Sequence, residues 1–542
     1  MVIKNPLNII NKYKFFIYNK IRGIYLRSSL YNKKISKLEN RNLVYKPNPN
    51  IFDCLVKYNK KKQNINSYEI KEIWQINNAN NSKYKKLHNF FWLFSIDLKS
   101  SNNSTQSIIN NWIDENIDYD YSSWEIDILS KRIMAWISNS KITYEDGSER
   151  YKEKFNFIVR KQINHLKNEI NRSDQVDDKL IGCAAIILVG LSYQDEEFTY
   201  YGENLLKKIL SSSIDNEGFP KSRSFRQLVF YLKYLVLIRE LFKDSQNIIP
   251  DYLNEVIFDL GQSYKLFFYE SHNSLLFNGN HITDNKEFDK YLKTRGYNFN
   301  CEKNEISGYV YLKNKKNSLI FDAGATPGKQ FSESYQSGAL SFEFFYLKNK
   351  IVTNCGYFQK NNHQLNKISK SSATHSSLII ENRSINFFSK NKIEKDFTEN
   401  SFKILDKKVN KEKYKWSIEA AHDGYQKDFG VIHKRKLEFD TENLILNGFD
   451  KIIYTKNKRP LNFEIRFHLM PDLKVTKTID GQNILFEVEN SGWKLSCENN
   501  KIDFETGLYF GNKNKYVENK NIFIYGNTNN ENKMIHWILQ KI

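Results

Sequence analysis

The chain has 542 residues, of which 40% are hydrophobic and 15% aromatic, and this composition excludes a wholly disordered protein. Lysine and arginine outnumber aspartate and glutamate by 82 to 62, so the formal net charge is +20, which excludes an acidic surface and favours anionic partners. This length exceeds that of one hydrophobic core and predicts more than one domain. The abundance of Lys, Asn and Ile also fits a bias in base composition, so the charge by itself identifies no partner.

The first 34 residues resemble a targeting segment, but Lys12, Lys14 and Lys20 interrupt every apolar stretch and no small-residue cleavage site follows. Apolar residues recur here at helical spacing, which predicts a basic amphipathic helix. Such a helix either lies on an anionic membrane surface or packs as a first helix on the body of the protein. The longest apolar run, 180–191, is too short to span a bilayer, which needs about 20 residues.

Helical spacing of apolar residues dominates from this N-terminal segment to about residue 300. Within 124–140, for example, Ile126, Leu129, Ile133 and Ile137 form one apolar stripe. The pattern breaks at Glu-Gly-Phe-Pro, 217–220, where a connection is predicted. Many helices with short connections predict a layered, toroid-like helical domain. Helices are predicted over 69–75, 104–115, 124–140, 150–170, 179–193, 201–210, 228–242 and 253–269.

After residue 305 the pattern changes to short extended segments separated by turns rich in Asn, Gly and Lys, which is typical of an antiparallel β-sandwich. A hairpin turn is expected at 349–350, and the Lys/Asn-rich stretches 58–65 and 389–414 are expected to be solvated loops or hairpin ends. Strands are predicted over 309–312, 318–322, 340–347, 350–354, 376–381, 414–421, 430–439, 444–451, 461–470, 484–489, 493–498 and 521–526.

These patterns predict a multidomain α + β protein with an N-terminal α/α toroid-like domain followed by a C-terminal antiparallel β-sandwich. The predicted boundaries give a basic N-terminal segment (1–84), a helical domain (85–300) and a β-sandwich (301–542). Five cysteines, an odd number with no C-x-x-C pair, argue against a zinc ribbon or a disulfide scaffold.

An ordered series of short motifs resembles the heparinase II/III family, most closely its alphaproteobacterial branch. No single motif is specific, but the series runs in order from about residue 85 to the end of the sequence. The motifs are Leu-Leu-Phe-Asn-Gly (275–279), Ser-Gly-Tyr-Val (307–310), Phe-Asp-Ala-Gly (321–324), Leu-Ser-Phe-Glu (340–343), Thr-Asn-Cys-Gly (353–356), Ala-Thr-His-Ser (373–376), Ala-His-Asp-Gly-Tyr (421–425), Gly-Phe-Asp (448–450) and Arg-Phe-His-Leu (466–469).

The resemblance implies a polysaccharide lyase that cleaves a uronate-containing glycan by β-elimination. This reaction removes a weakly acidic proton next to a carboxylate, so it needs a group that neutralises the carboxylate, a base, and an acid for the leaving oxygen. In the family these are an Asn-His pair on a toroid helix, a Tyr of the same domain and a His of the sandwich. Some members also hold a structural zinc through His, Asp and His.

Carried over to this chain, the resemblance places the Asn-His pair on Asp177-Asp178, an anionic pair that would repel a uronate. The tyrosine falls near Phe225-Arg226, where no tyrosine is present. The zinc ligands fall on Ser334, Gln336 and Asn354, and only the neighbouring His375 is retained. Because neutral amides bind zinc weakly, we expect no cofactor.

Four residues are the catalytic candidates. His375 would line a cleft as a base; the alternative is a structural, hydrogen-bonded histidine. Tyr335 would act as a base if a cation lowered its pKa from about 10. Arg226 would hold a uronate carboxylate, or else is a helix-surface charge. His422 would belong to a cleft pair, or else to a turn fixed by Asp and Gly.

Six further residues are candidates for binding the glycan. His433 and Arg435 alternate on a strand and should share one face, either toward an anionic sugar or toward solvent. The remaining candidates come from the loop and strand segments of the resemblance and from the helical break. The six are Arg223, Gln336, Asn354, Tyr425, His433 and Arg435.

The leading hypothesis is therefore a polysaccharide lyase, which, if active, is a carbon–oxygen lyase acting on an acidic glycan. The alternative is a non-catalytic glycan-binding or scaffold protein of the cell envelope with a degenerate lyase site. No basic run with interleaved aromatic residues predicts a nucleic-acid platform, so nucleic acid is not expected as a partner. The family's substrate class implies an envelope or periplasmic location, while the lack of a visible signal peptide leaves the cytoplasm open.

Overall fold

The computed structural model describes residues 6–37, 39, 41–56, 82–96, 102–269, 274–360, 363–390, 395–456 and 458–542. The helix predicted over 69–75 and the loop predicted over 58–65 lie outside these ranges.

The helices occur mainly in the first 294 residues, and they include each predicted helix that falls on described residues. The last predicted helix ends in a π-helical turn, Lys265–Tyr269. The helices are α1 Pro6–Leu26, α2 Ser29–Ile35, α3 Ser82–His88, α4 Asn102–Glu115, α5 Ile126–Ser138, α6 Ser140–Thr143, α7 Glu149–Glu169, α8 Val176–Ser192, α9 Glu196–Ser213, α10 Phe225–Asp244, α11 Asp251–Tyr264, α12 Lys286–Thr294, α13 Gln364–Ser369 and α14 Gln426–Phe429.

Helix α8 explains how the helical part is packed. It is apolar on nearly all sides and buried from Leu180 to Ser192, because it contacts α5, α7 and α9. Glycines allow the close approach of α9: a Cβ on Gly190 would lie 2.4 Å from Thr199 Oγ1, and one on Gly202 would lie 2.5 Å from Ile187. The side chains of both helices therefore interlock at short distance.

The strands follow from residue 305, and all pairings between them are antiparallel. They are β1 Glu305–Ile306, β2 Tyr309–Lys313, β3 Asn317–Asp322, β4 Phe342–Tyr346, β5 Asn349–Val352, β6 Leu378–Ile380, β7 Phe388–Lys390, β8 Asp396–Thr398, β9 Ile404–Lys411, β10 Lys415–His422, β11 Val431–Asp440, β12 Ile445–Tyr454, β13 Asn462–His468, β14 Val475–Lys477, β15 Asn483–Val488, β16 Ser491–Ser496, β17 Lys501–Tyr509, β18 Val517–Asn527 and β19 Lys533–Lys541.

Three sheets enclose the core of the β-rich part. β1 to β5 form a five-stranded meander, an eight-stranded sheet has the order β14-β15-β16-β19-β12-β11-β10-β9, and a four-stranded sheet has the order β17-β18-β13-β6. Their inner faces share one hydrophobic cluster, in which Phe342 of the first sheet stacks on Trp537 of the second at 5.8 Å and Phe467 of the third meets Trp537 at 4.7 Å. Buried and outward side chains alternate along strands such as β11 and β12, and the sheets pack through their buried faces. The β-rich part of the chain is therefore a β-sandwich.

One local prediction is wrong and another is incomplete. The turn between β4 and β5 is made by Leu347 and Lys348, both at positive φ, rather than by 349–350, because the strand resumes at Asn349. The stretch 389–414 is not only loop, because β7, β8 and β9 lie partly or wholly within it. β9 was missed because it pairs on one edge and most of its side chains are exposed, so it shows no hydrophobic alternation.

The chain forms two compact units. The first comprises 1–213, 230–258 and 286–298, and the second comprises 214–229, 259–285 and 299–542. The sequence places the boundary at 300/301, whereas the second unit also takes two segments of the helical region. Within the described part of the chain, no helix has the length and apolar character needed to cross a membrane.

Candidate functional site

The second unit contains an open pocket of about 700 Å³, named here the Arg223 pocket. Three cationic side chains, Lys221, Arg223 and Lys407, line it together with Asp215. The rest of the lining is mostly small residues of two loops, around 307–308 and 323–328, with Phe331 and Ile404. The pocket therefore combines positive charge with exposed backbone of small residues.

Arg223 is held in place from several sides. Its Nη2 donates to Asp322 Oδ1 at 2.7 Å, and its guanidinium lies 4.3 Å from the centroid of the Tyr309 ring. Tyr309 Oη donates back to the Arg223 carbonyl at 3.0 Å. The backbone of Arg223 is in the left-handed region with φ of 59°, a conformation that the surrounding contacts stabilise. Gly324 is required beside it, because a Cβ there would lie 2.0 Å from Arg223 Nη2.

One nitrogen of the Arg223 guanidinium is less well satisfied than the other two. Nη1 is buried and makes no hydrogen bond of standard geometry within the described residues, and the same holds for the nearby Tyr335 Oη. Burial lowers the pKa of the Arg223 guanidinium, but Asp322, Tyr309 and Tyr335 together outweigh this effect and raise it, so the cation is retained. An unsatisfied buried donor costs free energy, which an anionic ligand oxygen would recover.

Tyr335 does not fit the role of base. Burial and the Asp322 carboxylate raise the pKa of the Tyr335 hydroxyl, and Arg223 reverses only part of this shift. The cation that was expected to lower the pKa is present, but it is already paired with Asp322. The phenol therefore stays protonated at neutral pH and cannot act as the base.

Gln336 is a cross-link between backbone segments. Its Oε1 accepts from Gly279 N at 3.0 Å, and its Nε2 donates to Gly356 O at 3.0 Å and to Ser369 O at 2.5 Å. The resemblance assigns a zinc ligand to this position. Here a neutral amide joins the segments instead, and all of its polar groups are used inside the protein.

His375 and Asn354 are also fully buried. Asn354 Oδ1 accepts from Ser376 N at 2.9 Å, and burial lowers the pKa of His375 to about 3. Neither ring nitrogen of His375 has a hydrogen-bond partner among the described residues, so it is neither an accessible base nor a hydrogen-bonded structural histidine. One histidine with two amides does not fit a zinc site, and no group of three or more His, Cys, Asp or Glu in the described ranges could hold a metal ion.

The two remaining candidate histidines, His422 and His433, belong to a buried ionic network inside the sandwich. His422 and His433 face each other across β10 and β11, with 3.3 Å between His422 Nε2 and His433 Nδ1. His433 Nε2 lies 2.6 Å from Asp450 Oδ1, and Arg435 donates to both oxygens of Asp450 at 2.8 and 3.0 Å. Trp537 Nε1 also donates to Asp450, at 2.8 Å.

His433 and Arg435 share one face of β11, as their alternation predicts, but this face points into the core, and both side chains are 0% exposed. The expectation that they bind an anionic sugar or face solvent is wrong, because Asp450 supplies the anion from within. The expectation that His422 lies in a cleft is also wrong, because His422 is buried and burial lowers its pKa well below 6.5. The alternative, a turn fixed by Asp and Gly, agrees better, since His422 ends β10 and its Nδ1 accepts from Gly424 N at 3.1 Å.

The two arginine centres are connected through one backbone residue. Leu340 N donates to Asp322 O at 2.8 Å, and Leu340 O accepts from Arg435 Nη1 at 2.9 Å. The structure thus gathers most predicted site residues along one buried polar path. Of these residues, Arg223 lines the pocket, whereas Tyr335, His375 and His422 do not appear in its lining.

Two predicted residues lie elsewhere in the second unit. Arg226 is half-buried in the first turn of α10, and its charge acts on Tyr357, whose pKa burial raises to about 12 and Arg226 lowers in part. Tyr425 is buried, and its hydroxyl donates to the carbonyls of Leu378 and Arg383 at 3.2 Å each. Tyr425 therefore fixes backbone and offers no free group to a glycan.

Sequence reasoning missed Asp322, Tyr309 and Asn278, which hold Arg223. Asn278 donates to Asp322 Oδ2 at 3.3 Å and also to Tyr309 Oη. All three lie in motifs of the resemblance, at 275–279, 307–310 and 321–324. The sequence signal that could have found them is Asp322, an aspartate at the end of an apolar strand. A carboxylate buried there requires a cationic partner.

Comparison with known proteins gives a family match for the second half of the chain. Residues 302–538 match the family model described as "Heparinase II/III-like, C-terminal". Two solved structures share the fold over most of the chain. A heparinase III crystal structure matches with a TM-score of 0.67 at 14% identity, covering 94% of this chain and 88% of that one. The heparan sulfate lyase HepC of Pedobacter heparinus matches with a TM-score of 0.63 at 12% identity, covering 86% and 77%.

One curated relative is more limited in extent. The "FtsZ-localized protein C" of Caulobacter vibrioides is 24% identical over 210 residues, which are 37% of this chain and 36% of that protein. The chain thus spans about a third of the length of this relative. Together the solved structures confirm the predicted fold class, a toroid-like helical domain followed by an antiparallel β-sandwich.

Proposed function

Through residues 302–538 this chain belongs to the heparinase II/III-like family, and from this premise we propose that it acts on an acidic, uronate-containing polysaccharide as a lyase. The lyase fold supports a glycan as substrate. The Arg223 pocket supports the acidic character of that glycan, because Lys221, Arg223 and Lys407 line it. The observation that carries the proposal is Arg223, a cation that lines the pocket and whose buried Nη1 makes no hydrogen bond of standard geometry within the described residues.

In this proposal the Arg223 guanidinium places its positive charge beside the uronate carboxylate while Nη2 stays on Asp322. Neutralising the carboxylate makes the neighbouring proton more acidic, which is the first requirement of β-elimination. A base then removes this proton, the bond to the leaving oxygen breaks as the carbon–carbon double bond forms, and an acid protonates the leaving oxygen. Tyr335 is the candidate acid, because its hydroxyl carries a proton at neutral pH and interacts with Arg223.

The test is incubation of the purified chain with a panel of uronate-containing glycans and one neutral glycan. A lyase produces an unsaturated uronate, whose ultraviolet absorbance rises with time for at least one acidic glycan and not for the neutral one. Arg223→Lys keeps the positive charge but loses the planar guanidinium, whose several N–H groups can bind both oxygens of a carboxylate. This variant should bind the glycan roughly tenfold more weakly. Arg383→Lys, the same change at an exposed position of the second unit, is the control. Equal binding by both variants would exclude the Arg223 pocket as the site.

A second function is favoured by the burial of the candidate bases. His375, His422 and His433 are each at most 1% exposed, and burial lowers the pKa of each. A protein that binds the glycan without cleaving it needs only the cationic pocket. Salt-sensitive binding that Arg223→Lys weakens, with no absorbance change on any glycan, would establish this second function instead of the first.

We also propose a location in the cell envelope, where acidic polysaccharides are present. A fluorescent fusion, imaged with fractionation of the cells, tests this location. Because the Caulobacter vibrioides relative is named for its localisation with FtsZ, the fusion is best imaged together with FtsZ. A uniformly distributed, freely soluble fusion would contradict the proposal.

A further inference from the structure

Helix α1 presents its apolar face to solvent rather than to the protein. Tyr13, Phe16, Ile17, Ile21 and Ile24 are 55–66% exposed. At 100° per residue these five side chains fall within an arc of about 140° on one side of the helix. This set of five residues is named the α1 stripe. Stripes of this kind normally face a core, so here the usual orientation of an amphipathic helix is reversed.

The opposite side of α1 is attached to the first unit by polar contacts. Arg22, on the far side from the stripe, forms an ion pair with Glu169 at the end of α7, and Tyr18 accepts a hydrogen bond from Arg172. Leu26 is buried on this side as well, with 6% exposure. The helix is therefore held in an orientation that keeps the stripe outward, and the exposure of the stripe does not result from an unattached helix.

The stripe differs from the other exposed apolar residues of the described chain. Ile248, Ile479 and Met534, for example, are exposed singly, as is normal for a protein surface. Five adjacent apolar side chains, two of them aromatic, form a contiguous patch, and such patches mark interaction sites. Leu30 follows on α2 with 73% exposure.

The charge around the stripe selects the partner. The first 38 residues of the sequence contain nine Lys or Arg and no Asp or Glu, the first acidic residue being Glu39. Lys14 and Lys20 are both exposed, and Lys20 lies within the arc of the stripe. A lysine there can extend its ammonium group past apolar neighbours to a polar surface. An apolar stripe with lysines and no acidic residue matches an anionic lipid surface.

We propose that α1 attaches this protein to the surface of an anionic membrane, with the α1 stripe inserted at the boundary between headgroups and acyl chains. The helix lies in the plane of the surface, because lysines interrupt its apolar residues and no helix in the described part of the chain can span a bilayer. This attachment is independent of the Arg223 pocket and of the proposed lyase activity, and it explains why the apolar stripe is left uncovered.

The test is co-sedimentation of the full chain with lipid vesicles. Wild-type protein should bind vesicles containing roughly one third phosphatidylglycerol, bind pure phosphatidylcholine much more weakly, and be released by salt. The double variant Phe16→Ser/Ile21→Ser should lose roughly tenfold or more in binding, and so should Lys14→Gln/Lys20→Gln. Ile248→Ser, a similar change at an isolated position that is 91% exposed, should bind as wild type.

Because all four changed side chains are exposed, the variants should keep the wild-type melting temperature, which circular dichroism checks. Equal vesicle binding by all variants would overturn the proposal. So would a stripe variant that converts a dimer to a monomer in sedimentation velocity without changing vesicle binding, because the stripe would then contact a second copy. Lysine-dependent binding to DNA without binding to anionic vesicles would overturn it as well.

Discussion

Two buried arginine–aspartate pairs in the second unit show how similar chemistry serves different purposes. Arg435 uses Nε, Nη1 and Nη2 as donors, and its partner Asp450 also receives His433 and Trp537. Arg223, which lines a pocket, gives Nη2 to Asp322, and its Nη1 makes no hydrogen bond of standard geometry in the part of the chain that the structure describes. The first pair is completed by the protein, and the second is left incomplete.

This difference separates structural from functional charge. A buried ion pair that satisfies every donor holds its sheet in one arrangement and leaves no group for a ligand. An ion pair with a spare donor beside an open pocket has a permanent cation and an unmet hydrogen bond, which are the requirements for binding a carboxylate. Residue type cannot distinguish the two pairs, since both are Arg with Asp.

The largest effect is expected for Asp450→Asn. This change leaves Arg435 buried without its anion and should cost about 3–5 kcal/mol in the free energy of unfolding. Urea denaturation followed by tryptophan fluorescence measures this cost, because Trp537 contacts Asp450. The control is Glu438→Gln on the same sheet, which removes a half-exposed pair with Lys436 and should cost about 0–1 kcal/mol. Equal costs would mean that the network is not sealed from water.

A smaller effect concerns pH and the unpartnered His375. Its pKa is about 3 in the folded protein against about 6.5 when unfolded, so below pH 6.5 the unfolded state binds a proton that the folded state does not. Stability is therefore lost as pH falls from about 6.5 toward 3, by about 1.4 kcal/mol per pH unit for this group. Removing the titrating group in His375→Gln should reduce the slope of unfolding free energy against pH by this amount.

Denaturation of wild type and His375→Gln at several pH values between 4 and 8 checks this, with values above pH 7 as the internal reference. At those values the imidazole is neutral in both states and any difference reflects packing alone. An unchanged slope would show that His375 is accessible to protons in the folded protein, and would return it to the list of candidate bases.

The smallest effect is expected at the rim of the Arg223 pocket. Lys407 lines the pocket and pairs with Glu305, so Lys407→Gln should weaken binding of an acidic glycan only about two- to fivefold, and high salt should abolish the difference. Lys413→Gln on the same hairpin, outside the pocket, is the matched control. Titration at low and high ionic strength measures both. A loss as large as that of Arg223→Lys would mean that diffuse charge, rather than the arginine fork, selects the glycan.

The sequence by itself determined the fold class and most of the elements, although no strand was predicted where β17 and β19 lie. Hydrophobic periods of 3.6 and 2 report which faces are buried, and this local property predicted α5, α8, β11 and β12 nearly to their ends. The sequence also determined the amphipathic character of α1, because the spacing of its apolar residues and lysines is a property of the sequence alone. Edge strands such as β9 escaped prediction because they bury little and so show no alternation.

Only the tertiary structure decided which polar residues are available. His433 and Arg435 were correctly placed on one face, but whether that face met solvent or Asp450 depended on a strand that follows them in the chain. In the same way Tyr335 kept its proton because it is buried and because the neighbouring Arg223 is paired with Asp322. The outward orientation of the α1 stripe depended on the contact of Arg22 with Glu169, which are 147 residues apart. Burial and long-range pairing are properties of the packed chain, so local sequence specifies the chemistry that is present but not where it is exposed.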